Sequence, residues 1–138
     1  MNIIIDRASS RGHANHGWLN TYHTFSFANY FNPDRMQFGA LRVLNDDTVL
    51  PDEGFGTHPH KNMEVISIPL KGKLRHGDSL NNSHTITRGE IQLMSAGTGI
   101  LHSEYNDSST DNLEFLQIWV IPDRINTEPK YKDYDIKP

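Results

Sequence analysis

Two short segments hold the residues best suited to chemistry: Thr57-His58-Pro59-His60 and Leu101-His102-Ser103-Glu104. Each places candidate metal ligands at positions i and i+2. In an extended chain such positions point to one side, about 6.6 Å apart along the strand. Two such pairs on facing or neighbouring strands can close on one cation, at about 2.0–2.2 Å per bond. Three neutral imidazoles and one carboxylate around a divalent ion leave a charge of about +1 and positions for exchangeable water. This donor set accepts Fe(II), Mn(II), Co(II), Ni(II), Cu(II) or Zn(II) without choosing among them. A redox-active ion there supports oxygen chemistry, and the carboxylate can take a proton from an activated hydroxyl.

A single HxH is a weak signal. The second pair makes it strong, because the bland alternative, four unconnected polar side chains, needs two matched pairs to coincide by chance. Glycines flank both: Gly54 and Gly56 before His58, Gly97 and Gly99 before His102. They let the backbone turn tightly where each ligand strand enters. Gly97-Thr98-Gly99 opens no helix, so it does not read as a phosphate loop.

The elements that must carry these pairs are strands. From Phe38 to Pro122, short apolar runs alternate with turn signals every 8 to 12 residues or so, the texture of an all-β sandwich or barrel. Strands are expected near Gly39–Leu44, Met63–Lys71, Lys73–Asp78, His84–Thr87, Ile91–Ser95, Ile100–Asn106 and Glu114–Ile121. The turns fall at Asn45-Asp46-Asp47, Lys71-Gly72, Leu80-Asn81-Asn82, Arg88-Gly89 and Ala96–Gly99. No stretch carries apolar residues at three-and-four spacing, so little helix is expected. Residues 1 to about 37 have no lasting period, and residues 123–138 are polar with two prolines, the texture of a tail or linker.

The remaining histidines and aromatics are read more plainly. His13 and His16 belong to a polar loop and are expected to be solvated; His23 either lines the pocket or caps the barrel. His76 and His84 are expected at the surface. Trp18, Phe25, Phe27, Tyr30 and Phe31 are expected to pack in the core or plug the barrel, with an aromatic wall for a flat substrate as the alternative. Met94 and Phe115 are apolar and strand-borne, core or pocket lining.

The 138 residues suit one domain. The formal net charge is −4 and no basic stripe appears, which argues against direct nucleic-acid binding. No apolar run is long enough to span a membrane, and the amino terminus lacks the basic n-region of a secretory signal. There is no cysteine, which removes disulfides and thiolate metal sites and fits a cytoplasmic location.

Four stretches together resemble the pirin family of the cupin superfamily: HTFSFANYFNPDRMQFGALRV (His23–Val43), GFGTHPHKNMEVIS (Gly54–Ser67), RHGDSLNN (Arg75–Asn82) and MSAGTGILHSEYN (Met94–Asn106). The resemblance implies a single cupin barrel over 1–122, matching only the amino-terminal, metal-bearing domain of a family that usually has two, with 123–138 like an interdomain linker. It carries the pirin metal ligands onto His58, His60, His102 and Glu104, and makes Glu64, placed where many cupins have a glutamate ligand, a supporting or structural group. It implies one divalent transition metal, Fe(II) favoured, and quercetin 2,3-dioxygenase activity on a small planar aromatic substrate. Glu104 would take the proton of the flavonol 3-hydroxyl; dioxygen would then open the heterocycle with release of carbon monoxide. The alternative is a non-catalytic, metal-dependent regulatory or protein-binding module. A bare surface where a second cupin would pack predicts a homodimer.

Overall fold

The computed structural model describes residues 2–137. Apart from one 3₁₀ turn at Ala8–Ser10, its regular structure is β: β1 Gly12–Asn15, β2 Leu19–His23, β3 Leu41–Val49, β4 Gly54–His60, β5 Glu64–Lys71, β6 Lys73–Asp78, β7 Ser83–Thr87, β8 Glu90–Ser95, β9 Ile100–Asn106, β10 Leu113–Val120 and β11 Lys130–Asp135. They form a seven-stranded sheet in the order β1-β2-β3-β10-β5-β8-β11 and a four-stranded sheet in the order β4-β9-β6-β7. Every pair is antiparallel.

Strict alternation decides which side chains enter the barrel. On β10 these are Leu113, Phe115 and Gln117; on β5 Val65, Ser67 and Pro69; on β9 Ile100, His102, Glu104 and Asn106. The interior therefore falls into layers. Leu19, Val49, Leu74, Ile86, Leu113 and Phe115 make one apolar cluster, and Val65, Met94, Ala96 and Ile100 make another. Between them on their strands sit buried polar groups: Asn45 and Asp47 between Val43 and Val49, Gln117 between Phe115 and Trp119, Gln92 two residues before Met94. Burying polar side chains is costly unless they hydrogen-bond, so a polar layer across a small barrel marks a site.

The glycine turns stand where expected: Gly72, Gly89 and Gly97 all have positive φ. Gly97 is the most constrained, since a Cβ there would meet the Thr127 carbonyl oxygen at 2.1 Å.

Three regions differ from the sequence expectation. Asn45-Asp46-Asp47 is no turn: it runs through the middle of β3, paired with Tyr22, Thr21 and His23 on one side and with β10 on the other. Local turn chemistry is overridden there by pairing on both edges. The aperiodic amino-terminal region supplies β1 and β2. Within 123–138, Lys130–Asp135 forms β11, paired along its length with β8.

Candidate metal centre

β4 and β9 are neighbours in register, with His58 directly opposite His102, and a bulge between Phe55 and His58 sets the phase of the HxH pair. Strand alternation then turns His58, His60 and His102 to one point. Their Nε2 atoms form a triangle with edges of 3.1 Å (His58–His60), 2.9 Å (His60–His102) and 2.8 Å (His58–His102). At bond lengths of about 2.1 Å, nitrogens on one face of an octahedron stand about 3.0 Å apart, and those of a tetrahedron about 3.4 Å. The observed edges are close to the octahedral spacing, so the three nitrogens could hold one divalent ion together.

The protonation pattern fits a cation as well. His58 donates its Nδ1–H to the Gly56 carbonyl at 2.7 Å, so its Nε2 presents a lone pair. Burial, then the neighbouring imidazole of His58, pushes His60 down to about 4; burial, then His60, His58 and His76, pushes His102 down to about 2. Both are neutral at physiological pH. Three converging imidazole nitrogens, two of them held neutral by burial, make a donor set for a divalent ion.

Glu104 stands beside this triangle. Its Oε1 is 3.9 Å from His102 Nε2 and its side chain is fully buried. The three histidines close as a ligand cluster on their own, within 4.8 Å of one another. Glu104 Oε2 accepts hydrogen bonds from Ser67 Oγ at 2.7 Å and Gln92 Nε2 at 2.8 Å, and Oε1 accepts one from Gln117 Nε2 at 2.5 Å. Even so, burial dominates those donors and raises the carboxyl to about 7, with the nearby Asp47 adding to the rise. Asp47 is likewise raised to about 7 by burial, and its Oδ1 has no hydrogen-bond partner.

Trp119 packs edge-on against His60 at 5.0 Å, Phe27 against Trp119 at 5.4 Å, and His23 against Phe27 at 5.2 Å. These aromatics flank the centre. The interior beside Gln117 holds a cavity of about 50 Å³, lined among others by Thr21, His23, Asn45, Asp47 and Phe55. That is far below the roughly 300–1,000 Å³ of a small-molecule pocket. His58 and His60 are half-exposed, so the open side of the centre is theirs.

The other sequence-level readings divide. His13, His16 and His84 are exposed, as expected. His23 is buried, bonded through Nδ1 to Asn45 Oδ1 at 2.9 Å. Phe25, Met94 and Phe115 are core, whereas Phe31 is 72% exposed and packs in no core. Glu64 bonds Ser95 Oγ and lies outside the histidine cluster, a structural group. His76 is the clear correction: expected at the surface, it is completely buried. The signal was its parity with Leu74, two residues earlier on the same strand and equally buried. The same parity, with Val65, Met94 and Phe115, would have found Ser67, Gln92 and Gln117, the three donors to Glu104.

A two-sheet antiparallel barrel that turns three histidines from two paired strands onto one point is a metal-binding cupin. Within that class the chain belongs to the Pirin family, which it matches over residues 5–120. It is 54% identical over 130 residues, 94% of this chain and 56% of the relative, to quercetin 2,3-dioxygenase of Escherichia coli K12. It is 52% identical over 120 residues, 87% of this chain and 51% of the relative, to a putative quercetin 2,3-dioxygenase of Zymomonas mobilis. The chain thus spans about half the length of the curated relatives it matches. Among solved structures, the bacterial pirin YhhW from Escherichia coli in complex with nickel(II) superposes with a TM-score of 0.93 at 53% identity, covering 95% of this chain and 57% of that one.

Proposed function

We propose that this chain carries a mononuclear divalent-metal centre at which quercetin-type flavonols are cleaved by dioxygen, the activity for which its Escherichia coli relative is named. The observation that carries the reading is the 2.8–3.1 Å triangle of Nε2 atoms beside a buried carboxyl. His58, His60, His102 and Glu104 hold the ion. Fe(II) is the favoured native metal; Ni, Mn, Co, Cu and Zn are accommodated by the same donors. When bound, a redox-active divalent ion supplies Lewis acidity toward the flavonol 3-hydroxyl and an electron path to dioxygen.

The protein's own groups do the rest. His58 is fixed by the Gly56 carbonyl and His60 is braced by Trp119, so the face presented to substrate is rigid. Glu104 is the base. Ser67, Gln92 and Gln117 aim its carboxylate beside the three imidazoles, where it can take the 3-hydroxyl proton. The proton passes to the carboxylate. The flavonolate and dioxygen give the ring-opened ester and carbon monoxide, which balances. A three-ring flavonol does not fit the 50 Å³ interior, so it approaches from the half-exposed His58 and His60 side.

The half-exposure of those two histidines favours a second reading, in which the ion is sensed by a protein partner and turns nothing over. Fe(II)-, Ni(II)-, Mn(II)- or Cu(II)-loaded protein mixed with quercetin and oxygen separates them. Loss of flavonol absorbance that vanishes in His102→Ala and Glu104→Ala supports the enzyme; full metal occupancy with no turnover for any ion supports the regulator. A cytoplasmic location, which the cysteine-free sequence fits, and homodimerisation, which would cover exposed side chains such as Phe31 and Phe38, belong to the same proposal. A monomeric mass by light scattering at micromolar protein would count against the dimer.

A further inference from the structure

The segment Arg75–Asn82 takes no part in the ligand set, yet it places a histidine and an aspartate inside the barrel. Resting on the metal reading above, we propose that His76 and Asp78 form a positioning pair behind His102, accepting its Nδ1 proton and fixing the ring that holds the ion.

Asp78 lies directly across from His102 in the β6–β9 ladder, and His76 across from Glu104. His76 Nε2 is 2.6 Å from Asp78 Oδ2, and both side chains are completely buried. The Asp78 carboxylate also accepts from the backbone N–H of Leu80 at 2.8 Å and of Asn82 at 3.1 Å, and from the Asn82 amide at 3.1 and 3.0 Å. Surrounded by donors, it can only accept from His76, so the His76 proton sits on Nε2 and its Nδ1 is a lone pair. His102 is in the opposite state. Binding an ion through Nε2 requires that Nδ1 carry the proton.

Both Nδ1 atoms are buried and neither has a hydrogen-bond partner in the structure. One is an obligatory donor, the other an obligatory acceptor. Their ring centroids are 5.5 Å apart and tilted by 57°, too far to stack and near enough for one buried water to bridge the two Nδ1 atoms. A cationic His76 would set N–H against N–H. Tyr131 of β11 stacks on the His76 ring, with centroids 4.0 Å apart at 18°, and fixes its plane. The chain of contact runs Asp78, His76, His102, metal, with the terminal strand as its brace. Groups in that position orient a ligand and raise its basicity, and losing them typically costs about 10–100-fold in metal affinity.

The test is nuclear magnetic resonance of ¹⁵N-histidine protein loaded with zinc, with zinc release to a chelator as the second readout. The expected spectrum has His76 protonated at Nε2 and His102 at Nδ1, the latter proton exchanging slowly. Asp78→Asn should shift the His102 Nδ1 signal and speed zinc release about 10–100-fold. His76→Phe should do the same, whereas His76→Gln, whose carbonyl can accept the His102 proton, should recover most of the retention. Zinc uptake with His76 protonated at Nδ1, or release rates unchanged in both Asp78→Asn and His76→Phe, overturns the positioning pair alone. A chain that takes up no zinc contradicts the metal reading and this proposal with it.

Discussion

Glu104→Gln in metal-free protein should make folding stability less sensitive to pH. Burial moves the Glu104 carboxyl from 4.5 to about 7. Below pH 4.5 the group is protonated in both folded and unfolded chains and contributes nothing to pH dependence. Between 4.5 and 7 the unfolded chain releases the proton while the folded chain keeps it, so the unfolded state binds fewer protons and stability falls as pH rises. Above 7 the loss is complete. At about 1.4 kcal/mol per pKa unit the total is about 3 kcal/mol. Glutamine keeps the shape and cannot ionise, and Gln117 can turn its amide to accept the new N–H. Urea unfolding with a chelator, from pH 4 to 8.5, should therefore show the Gln variant gaining about 3 kcal/mol on the natural chain across that window. His60 and His102, both pushed down, act with the opposite sign, adding stability as pH rises toward 6.5. They are present in both proteins and cancel in the comparison. Nickel should reverse the gap, since the cation offsets the buried charge. Parallel pH curves for the two proteins would refute the reasoning.

His102→Ala should lower nickel affinity by more than about 100-fold in calorimetric titration, because even outer partners of a ligand cost 10–100-fold. Phe115→Ala, at a fully buried side chain in the apolar cluster with Leu19, Val49, Leu74, Ile86 and Leu113, should cost about 3–5 kcal/mol by urea unfolding. Gly97→Ala sets a Cβ against the Thr127 backbone at a φ of +50°, and should cost about 2 kcal/mol or more by the same measurement; no loss would mean that the 123–129 segment does not pack there.

The convergence of His58, His60 and His102 was legible because i and i+2 on a strand share a face, and the two segments lie on paired strands. The barrel between Phe38 and Pro122 was legible for a related reason, since its turns carry glycine or asparagine where positive φ is needed. Asn45-Asp46-Asp47 failed because its residues satisfy a turn locally, while their partners, β2 and β10, lie far away in the chain. Asn45 and Asp47 point into the polar layer, where hydrophobic alternation goes silent. His76 was lost in the same way. A histidine between Arg75 and Gly77 looks solvated until the parity of Leu74 is carried forward. β11 consists entirely of charged residues and tyrosines, and only its pairing with β8 makes it a strand.

A nickel-loaded crystal, or X-ray absorption on the nickel-loaded protein, reads the centre most directly. One nickel per chain, bound by the Nε2 atoms of His58, His60 and His102 with a Glu104 oxygen among its remaining neighbours, is the predicted outcome. An ion lodged elsewhere, or one touching fewer than three of these imidazoles, would contradict it.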